Sequence, residues 1–492
     1  MEVMSPSLRM MRALAWQVVL ALALVTPAGA LGRQSPQRAA LVSRIEAALA
    51  DPEIKGGIQG IVVMSLATGD VWFERNPDTL LIPASNQKLL TSAAALHFLG
   101  PTHRFITTVI AKADSLRRGV VAGDLALRGD GDPFLDDAAL TTMARSLRAR
   151  GIREVAGGVV GDPGAFGPQG YGDGWAWDDM PYYYSVPVSG LNLNSNVRRI
   201  SVIPGRRVGE RVKVSVWPTG LYGTVVVKAY TGAKGVTPRV DVERRLGTDI
   251  VTVSGYVPVD LRPDALKPIP VAVENPALYA ATRFTQILRS VGVAVRKPAR
   301  VGSLGGQRVK VLASYASPPL SDLVARLNKP SDNLAAECML RAIGRTKRTP
   351  GDVPSGRSRA LQWFSDIGMD TRGVIIADGS GLSRQNYVTA RNVLTLLRHM
   401  TTHPAGEAFR NSLPVAGVDG TLRNRMKGSP AEGNCRAKTG YVSRVSSLSG
   451  YVATASGEPL VFSMLMNGHP CRNAGATAVQ DRIVKELASY RE

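Results

Sequence analysis

"PASNQKLLTSAAALHFLG" runs from Pro83 to Gly100. Leu89, Leu90, Ala93, Ala94 and Leu96 recur at helical spacing, and Gly100-Pro101 ends the pattern. Pro83 and Ser85 suit the start of such a helix. A helix here sets Ser85 and Lys88 on one face, within reach of each other. A serine hydroxyl is a poor nucleophile until a base takes its proton. A lysine can be that base only after its ammonium loses its charge, which burial or nearby cations promote. A chain of this length holds on the order of one S-x-x-K by chance, so two distant stretches decide what this one means.

The first is "KPSDNLAAE", residues 329–337. Ser331 or Asp332 could cap the helix that follows. A functional reading makes Ser331 a proton relay and Asn333 an amide donor to a substrate. The other is "AKTGYV", residues 437–442, read as a strand. Either it simply ends at a turn, or its edge receives a substrate. In the second case Gly440 admits a close peptide backbone, and Thr439 and Lys438 offer a hydroxyl and a positive charge to a carboxylate.

The rest of the chain frames these stretches. At 492 residues it is too long for one core, so two or three domains are expected. The formal net charge of +21 points to an anionic environment. No basic block with interleaved aromatics occurs, which disfavours nucleic acid as a partner. Arg9, Arg12, the apolar run Ala13 to Val25 and Ala28-Gly29-Ala30 have the layout of an export signal cleaved after Ala30. The run is short for a bilayer span, which needs about 20 apolar residues. The mature protein is therefore expected outside the cytoplasm, periplasmic or wall-associated. Three cysteines do not make a disulfide framework. Cys435 and Cys471 could be bridged, and Cys338, in a predicted helix, is expected to be buried and free.

"GIQGIVVMSLATGDVWFERN" reads as a hairpin around Thr68-Gly69-Asp70. "RAKTGYVSRVSSLSGYVATASGEPLVFSMLMNG" reads as three strands before a last helix, "ATAVQDRIVKELASY". These pieces make one α+β domain, and the chain between them is an excursion from it. Within the excursion, Asn192 to Val257 is rich in Val, Thr, Arg and Gly and reads as a small nested β unit.

The ordered set S-x-x-K, S-D-N, K-T-G is the signature of penicillin-binding proteins and serine β-lactamases. The long gap between Ser85 and Ser331 excludes a compact β-lactamase. "GDLALRGDGDPFLD", "GWAWDDMPYYYSVPVSGLNLN", "DGSGLSR" and "KTGYVSRVSSLSGYV" extend the match. The chain resembles the D-alanyl-D-alanine carboxypeptidase/endopeptidase family of low-molecular-mass penicillin-binding proteins. The resemblance implies a penicillin-binding/β-lactamase-like domain, an antiparallel sheet flanked by helices, at 31–104 and 311–492. It implies an inserted domain at 105–191 and 258–310, and a nested, mostly β domain at 192–257. It implies a serine hydrolase of peptidoglycan stem peptides ending in D-Ala-D-Ala, blocked covalently by β-lactams, with no cofactor and no metal.

By the same resemblance Ser85 is acylated, Lys88 is its general base, and Ser331 and Lys438 move protons and position the substrate. Asn333 holds a substrate amide and Thr439 the terminal carboxylate. The N–H groups of Ser85 and Tyr441 form the oxyanion hole. Asp179, Tyr184 and Arg384 match a pocket for the free end of a diaminopimelate side chain, where an acid and an arginine suit a zwitterion. Arg444 and Asp130 stand where relatives commonly have glycine. A β-lactamase or a catalytically idle wall-binding protein are the rival readings. The first lacks a convincing loop for a glutamate-activated water. The second need not keep both Ser85 and Lys88. His399 and His403 are spaced like metal ligands on a helix, but no third ligand is apparent. Ser380 lacks the frame of a nucleophile elbow, and Asp130 and Asp132 fit a turn better than a calcium site.

Overall fold

The computed structural model describes residues 35–168, 170–220, 222–262, 264–305 and 308–492. The expected export signal and its cleavage site lie outside these residues. The elements of the domain carrying the three motifs are labelled here in chain order. Its strands are β1 (Ile58–Ser65), β2 (Val71–Arg75), β3 (Arg436–Val442), β4 (Val445–Ala453) and β5 (Pro459–Asn467). Its helices are α1 (Pro36–Leu49), α2 (Gln87–Leu99), α3 (Leu320–Asn328), α4 (Asn333–Gly344), α5 (Val353–Asp366), α6 (Ala390–Met400), α7 (Gly406–Ser412) and α8 (Asn473–Ser489).

The five strands form one sheet in the order β3-β4-β5-β1-β2, every pair antiparallel. The N-terminal hairpin and the late strands thus join directly, β1 pairing with β5 from Ile58↔Asn467 to Ser65↔Leu460. Strand side chains alternate between faces. Val62, Val461 and Leu465 enter the core beneath α2 to α6. Ile61, Val63, Phe462 and Met464 enter a second core beneath α1 and α8. This is the α+β, penicillin-binding/β-lactamase-like arrangement expected from the motifs.

The excursion builds its own sheets. Ile106–Lys112 pairs antiparallel with Leu125–Arg128, which runs parallel to Val159–Asp162. Val309–Ala316 pairs with Ile106–Lys112 along its whole length, which carries this sheet past residue 311. Within the nested stretch, Val197–Ile203 pairs with Lys213–Trp217 and with Ile269–Ala272, so this pairing continues past residue 257. A second sheet joins Thr224–Val227, Tyr230–Gly232, Arg239–Arg244 and Ile250–Pro258. Val251, Val253, Val257, Ile200 and Val271 fill the space between the two.

The cysteines are all free thiols. Cys338 is buried on α4, as its helical context suggests. Cys435 is buried in the core beneath α8, while Cys471 lies partly exposed with its Sγ 3.3 Å from His469 Nδ1. The Cys435–Cys471 bridge entertained from the sequence is therefore not formed.

Candidate active site

Ser85 does not lie on the α-helix. It sits in a 3-10 turn, Ala84–Asn86, and α2 starts at Gln87. The turn takes its shape from what surrounds it. Ala84 has φ 46°, a left-handed conformation that costs an alanine energy and persists only where the surroundings enforce it. A Cβ on Gly381 would lie 1.8 Å from the Ala84 carbonyl oxygen, so the "DGSGLSR" loop is pressed against the turn. Asn86 donates to the Lys438 carbonyl at 2.8 Å and accepts from Ser449 Oγ at 2.6 Å, which fastens the turn to β3 and β4. The three-residue spacing still brings the two side chains together, Lys88 Nζ lying 2.9 Å from Ser85 Oγ.

Lys88 is fully buried in the first turn of α2. Its amine has two further partners, Asn333 Oδ1 at 2.6 Å and the Ser380 carbonyl at 2.6 Å. Both are acceptors only, so they take N–H bonds whatever the charge state. A neutral amine meeting both keeps its lone pair for the remaining direction, toward Ser85 Oγ. Burial drives the amine that way, lowering its pKa to about 8 despite the acids Asp378, Asp332 and Glu337 nearby.

A second buried lysine lies behind the first. Lys438 Nζ donates to Ser331 Oγ at 2.8 Å and to the Thr439 carbonyl at 2.8 Å. Burial, and then repulsion from Lys88, push its pKa well below the ordinary lysine value. Lys438 is fully buried, its amine meeting the Ser331 hydroxyl and the Thr439 carbonyl. Thr439 keeps its hydroxyl at the surface, 2.7 Å from Thr421 Oγ1. The space beside Gly440 is taken by the protein itself, for a Cβ there would lie 2.1 Å from Ser447 Oγ and 2.8 Å from the Ser85 nitrogen. The glycine is required to bring β3 against the Ser85 turn. That closeness brings the Ser85 amide up against Gly440 on the outer strand of the sheet.

Asp332 does cap α4, accepting from Ala335 N at 2.8 Å, which frees Ser331 for Lys438. Ser331 has φ 66°, a conformation set by the turn into the helix. Asn333 accepts from Lys88 and gives one N–H to the Tyr184 carbonyl at 2.7 Å. Ser85, Ser331, Asn333, Tyr441, Asp179, Tyr184 and Arg384 line one cavity of about 640 Å³. Tyr184 donates to Asp179 at 2.7 Å, and Arg384 donates to the Ser443 carbonyl at 2.7 Å. Lys88, Lys438 and Gly440 stand behind the cavity wall.

Two buried carboxylates that the motifs do not mention hold this arrangement. Asp378 accepts from Trp175 Nε1, Ser380 Oγ, Asn386 Nδ2 and the Gly381 and Ser383 amides, all between 2.7 and 2.9 Å. Glu337 accepts from the Gly379 and Ser380 amides at 2.8 and 3.0 Å and from Arg341 at 2.8 Å. Together they aim the Ser380 carbonyl at Lys88. The sequence signal was the dense "DGSG" turn, and Ser380, set aside as a nucleophile, contributes through its backbone.

Away from the cavity, the fold gives His399 and His403 a third neighbour, His97, whose Nδ1 is 3.2 Å from His403 Nε2. His403 Nδ1 accepts from the Ala405 amide, so the ring's proton is on Nε2 and donates to His97. This pair is a hydrogen bond rather than two open ligands.

Residues 41–490 match the family described as D-Ala-D-Ala carboxypeptidase 3 (S13). The chain belongs to this family of serine carboxypeptidases. It is 39% identical over 460 residues to the D-alanyl-D-alanine carboxypeptidase of Actinomadura sp. (strain R39), spanning 91% of this chain and 84% of that one. It is 28% identical over 421 residues to the D-alanyl-D-alanine carboxypeptidase DacB of Haemophilus influenzae, spanning 84% and 86%. The crystal structure of penicillin binding protein 4 (dacB) from Haemophilus influenzae superimposes with a TM-score of 0.79 at 26% identity, covering 92% of this chain and 99% of that one. As a family member the chain is a hydrolase, a serine D-Ala-D-Ala carboxypeptidase.

Proposed function

We propose that this enzyme cleaves D-Ala-D-Ala stem peptides, as carboxypeptidase and endopeptidase, through an acyl-enzyme on Ser85. The observation that carries this is the fully buried Lys88 amine, 2.9 Å from Ser85 Oγ, with only acceptors at its two other contacts. Ser85 Oγ passes its proton to neutral Lys88 and attacks the carbonyl of the penultimate D-Ala. The Ser85 and Tyr441 N–H groups stabilise the oxyanion, each such donor typically contributing about 3 kcal/mol. Lys438 and Ser331 carry a proton to the departing amine, the C–N bond breaks, and water then hydrolyses the Ser85 ester. Thr439 takes the terminal carboxylate, and Asn333 holds a substrate amide with its remaining N–H. Asp179, Tyr184 and Arg384 receive the free amino-acid end of a diaminopimelate side chain.

The proposal includes the division into a peptidase domain, an inserted domain and a nested β domain. It also includes export, with the mature chain starting at Leu31 and its positive charge favouring anionic wall or membrane surfaces. N-terminal sequencing of the secreted protein checks the start. Intact mass spectrometry after benzylpenicillin, with peptide mapping, checks the site. A single adduct on the peptide containing Ser85 is expected, and Ser85→Ala should abolish it while the circular dichroism spectrum stays unchanged. An adduct that survives in Ser85→Ala would mean another nucleophile.

A further inference from the structure

The segment that lines the cavity opposite Ser85, residues 171–184, belongs to neither the helices nor the sheet of the peptidase domain. Its cavity side is pinned by two contacts: Trp175 Nε1 on Asp378 at 2.7 Å, and Asn333 Nδ2 on the Tyr184 carbonyl at 2.7 Å. Its other side rests on the nested β unit. Arg244, at the end of strand Arg239–Arg244, has a side chain with no exposed surface. Its guanidinium donates to Tyr171 Oη at 2.9 Å, to the Met180 carbonyl at 3.0 Å, to the Thr248 carbonyl at 3.0 Å and to the Glu274 carboxylate. The Pro181 carbonyl accepts from Ala272 N at 3.1 Å, and Tyr182 bridges to Val271.

We propose that Arg244 is a positioning residue for substrate recognition, through which the nested β unit sets the preference for the free end of the stem side chain. This rests on the reading of Asp179, Tyr184 and Arg384 as the pocket for that end. Asp179 and Tyr184 lie at most a few residues from Met180, so the turn they occupy is held directly by the guanidinium. Arginine suits the task because its planar fork offers several donors in fixed directions. The two faces of the segment are thus fixed by different parts of the chain. Ser85, Lys88 and the oxyanion amides are anchored within the peptidase domain, so loosening the segment from the nested side disturbs recognition before it disturbs acylation.

The test compares two peptides ending in D-Ala-D-Ala, one with diaminopimelate before them and one with diacetyl-lysine, alongside acylation by benzylpenicillin. Arg244→Met and the milder Tyr171→Phe should raise KM for the diaminopimelate peptide, about tenfold for the first, with kcat within about twofold. Hydrolysis of the diacetyl-lysine peptide and penicillin acylation should stay within about twofold. Arg244→Lys should recover only part of the difference. If Arg244→Met fails to fold, Tyr171→Phe decides on the same ratio. Equal losses on both peptides and on penicillin, or no change in either variant, would overturn the inference. Asp179→Asn separates the two claims. If it shifts the peptide ratio and the Arg244 and Tyr171 variants do not, only this inference falls. If it leaves the ratio intact, the pocket reading falls and the inference with it.

Discussion

Lys88 shows what burial does to one residue. Its amine must be neutral to accept the Ser85 proton, and burial brings its pKa down to about 8. The base form therefore grows as pH rises through that value. The acylation rate by benzylpenicillin should climb between about pH 7 and 9 and then level off. A flat profile over that range would argue against Lys88 as the base. Lys88→Met should slow acylation by about 100- to 10,000-fold, the usual span for a lost general base. Lys438, like Lys88, meets a serine hydroxyl and a backbone carbonyl, but it lacks the side-chain amide oxygen that Asn333 gives Lys88. Its depressed pKa suits a group that passes protons rather than one that holds a carboxylate.

At the scale of elements, the site is a junction between the Ser85 turn, the start of α4, the "DGSG" loop and β3. Gly440 is where two of these touch. Gly440→Ala would drive a methyl into Ser447 Oγ and the Ser85 amide. We expect it to lower stability by about 1–3 kcal/mol, the usual range for overpacking, and to slow acylation at least as clearly as it lowers the melting temperature. Normal acylation in a stable Gly440→Ala protein would show that β3 can stand further off. The far end of α2 offers a different test. His97, His399 and His403 meet there beside Trp363 and Arg359; burial holds their pKa values below the ordinary 6.5, with repulsion from neighbouring groups adding to it for His97 and His403. The unfolded imidazoles bind protons more readily, so this contribution to stability is present above pH 6.5 and is lost as pH falls through the lowered folded values. His97→Gln should flatten the fall in melting temperature between about pH 7 and 5. An unchanged slope would mean that the cluster does not contribute to it.

At the scale of the whole molecule, the cavity wall joins a segment of the excursion to the sheet-bearing part of the chain, drawn from Ser85 and residues 174–184, 331–333, 381–385 and 441–443. The net charge of +21 also acts at this scale. Isolated peptidoglycan sacculi bearing anionic polymers should sediment the enzyme at low salt and release it at about 0.5 M salt, where screening shortens the reach of charge to a few ångströms. Binding that ignores salt would assign retention to peptide recognition alone.

Sequence alone determined the family-level layout, because three short motifs in fixed order carry chemistry that needs those residue types. It also determined the helix of α2 and the edge character of β3, since both follow from local spacing and glycine placement. Tertiary structure decided the rest. That Ser85 sits on a 3-10 turn depends on pressure from Gly381 and anchoring by Asn86. That Gly440 serves packing within the protein depends on Ser447, which lies on the next strand. The dense "DGSG" turn marked the Asp378 loop, but what Asp378 and Glu337 bind, in part residues far away in the chain, follows only from the fold. The lysine pKa values and the hold of Arg244 on the pocket arise from burial among groups far apart in the chain. Burial of this kind exists only once the chain has closed around them.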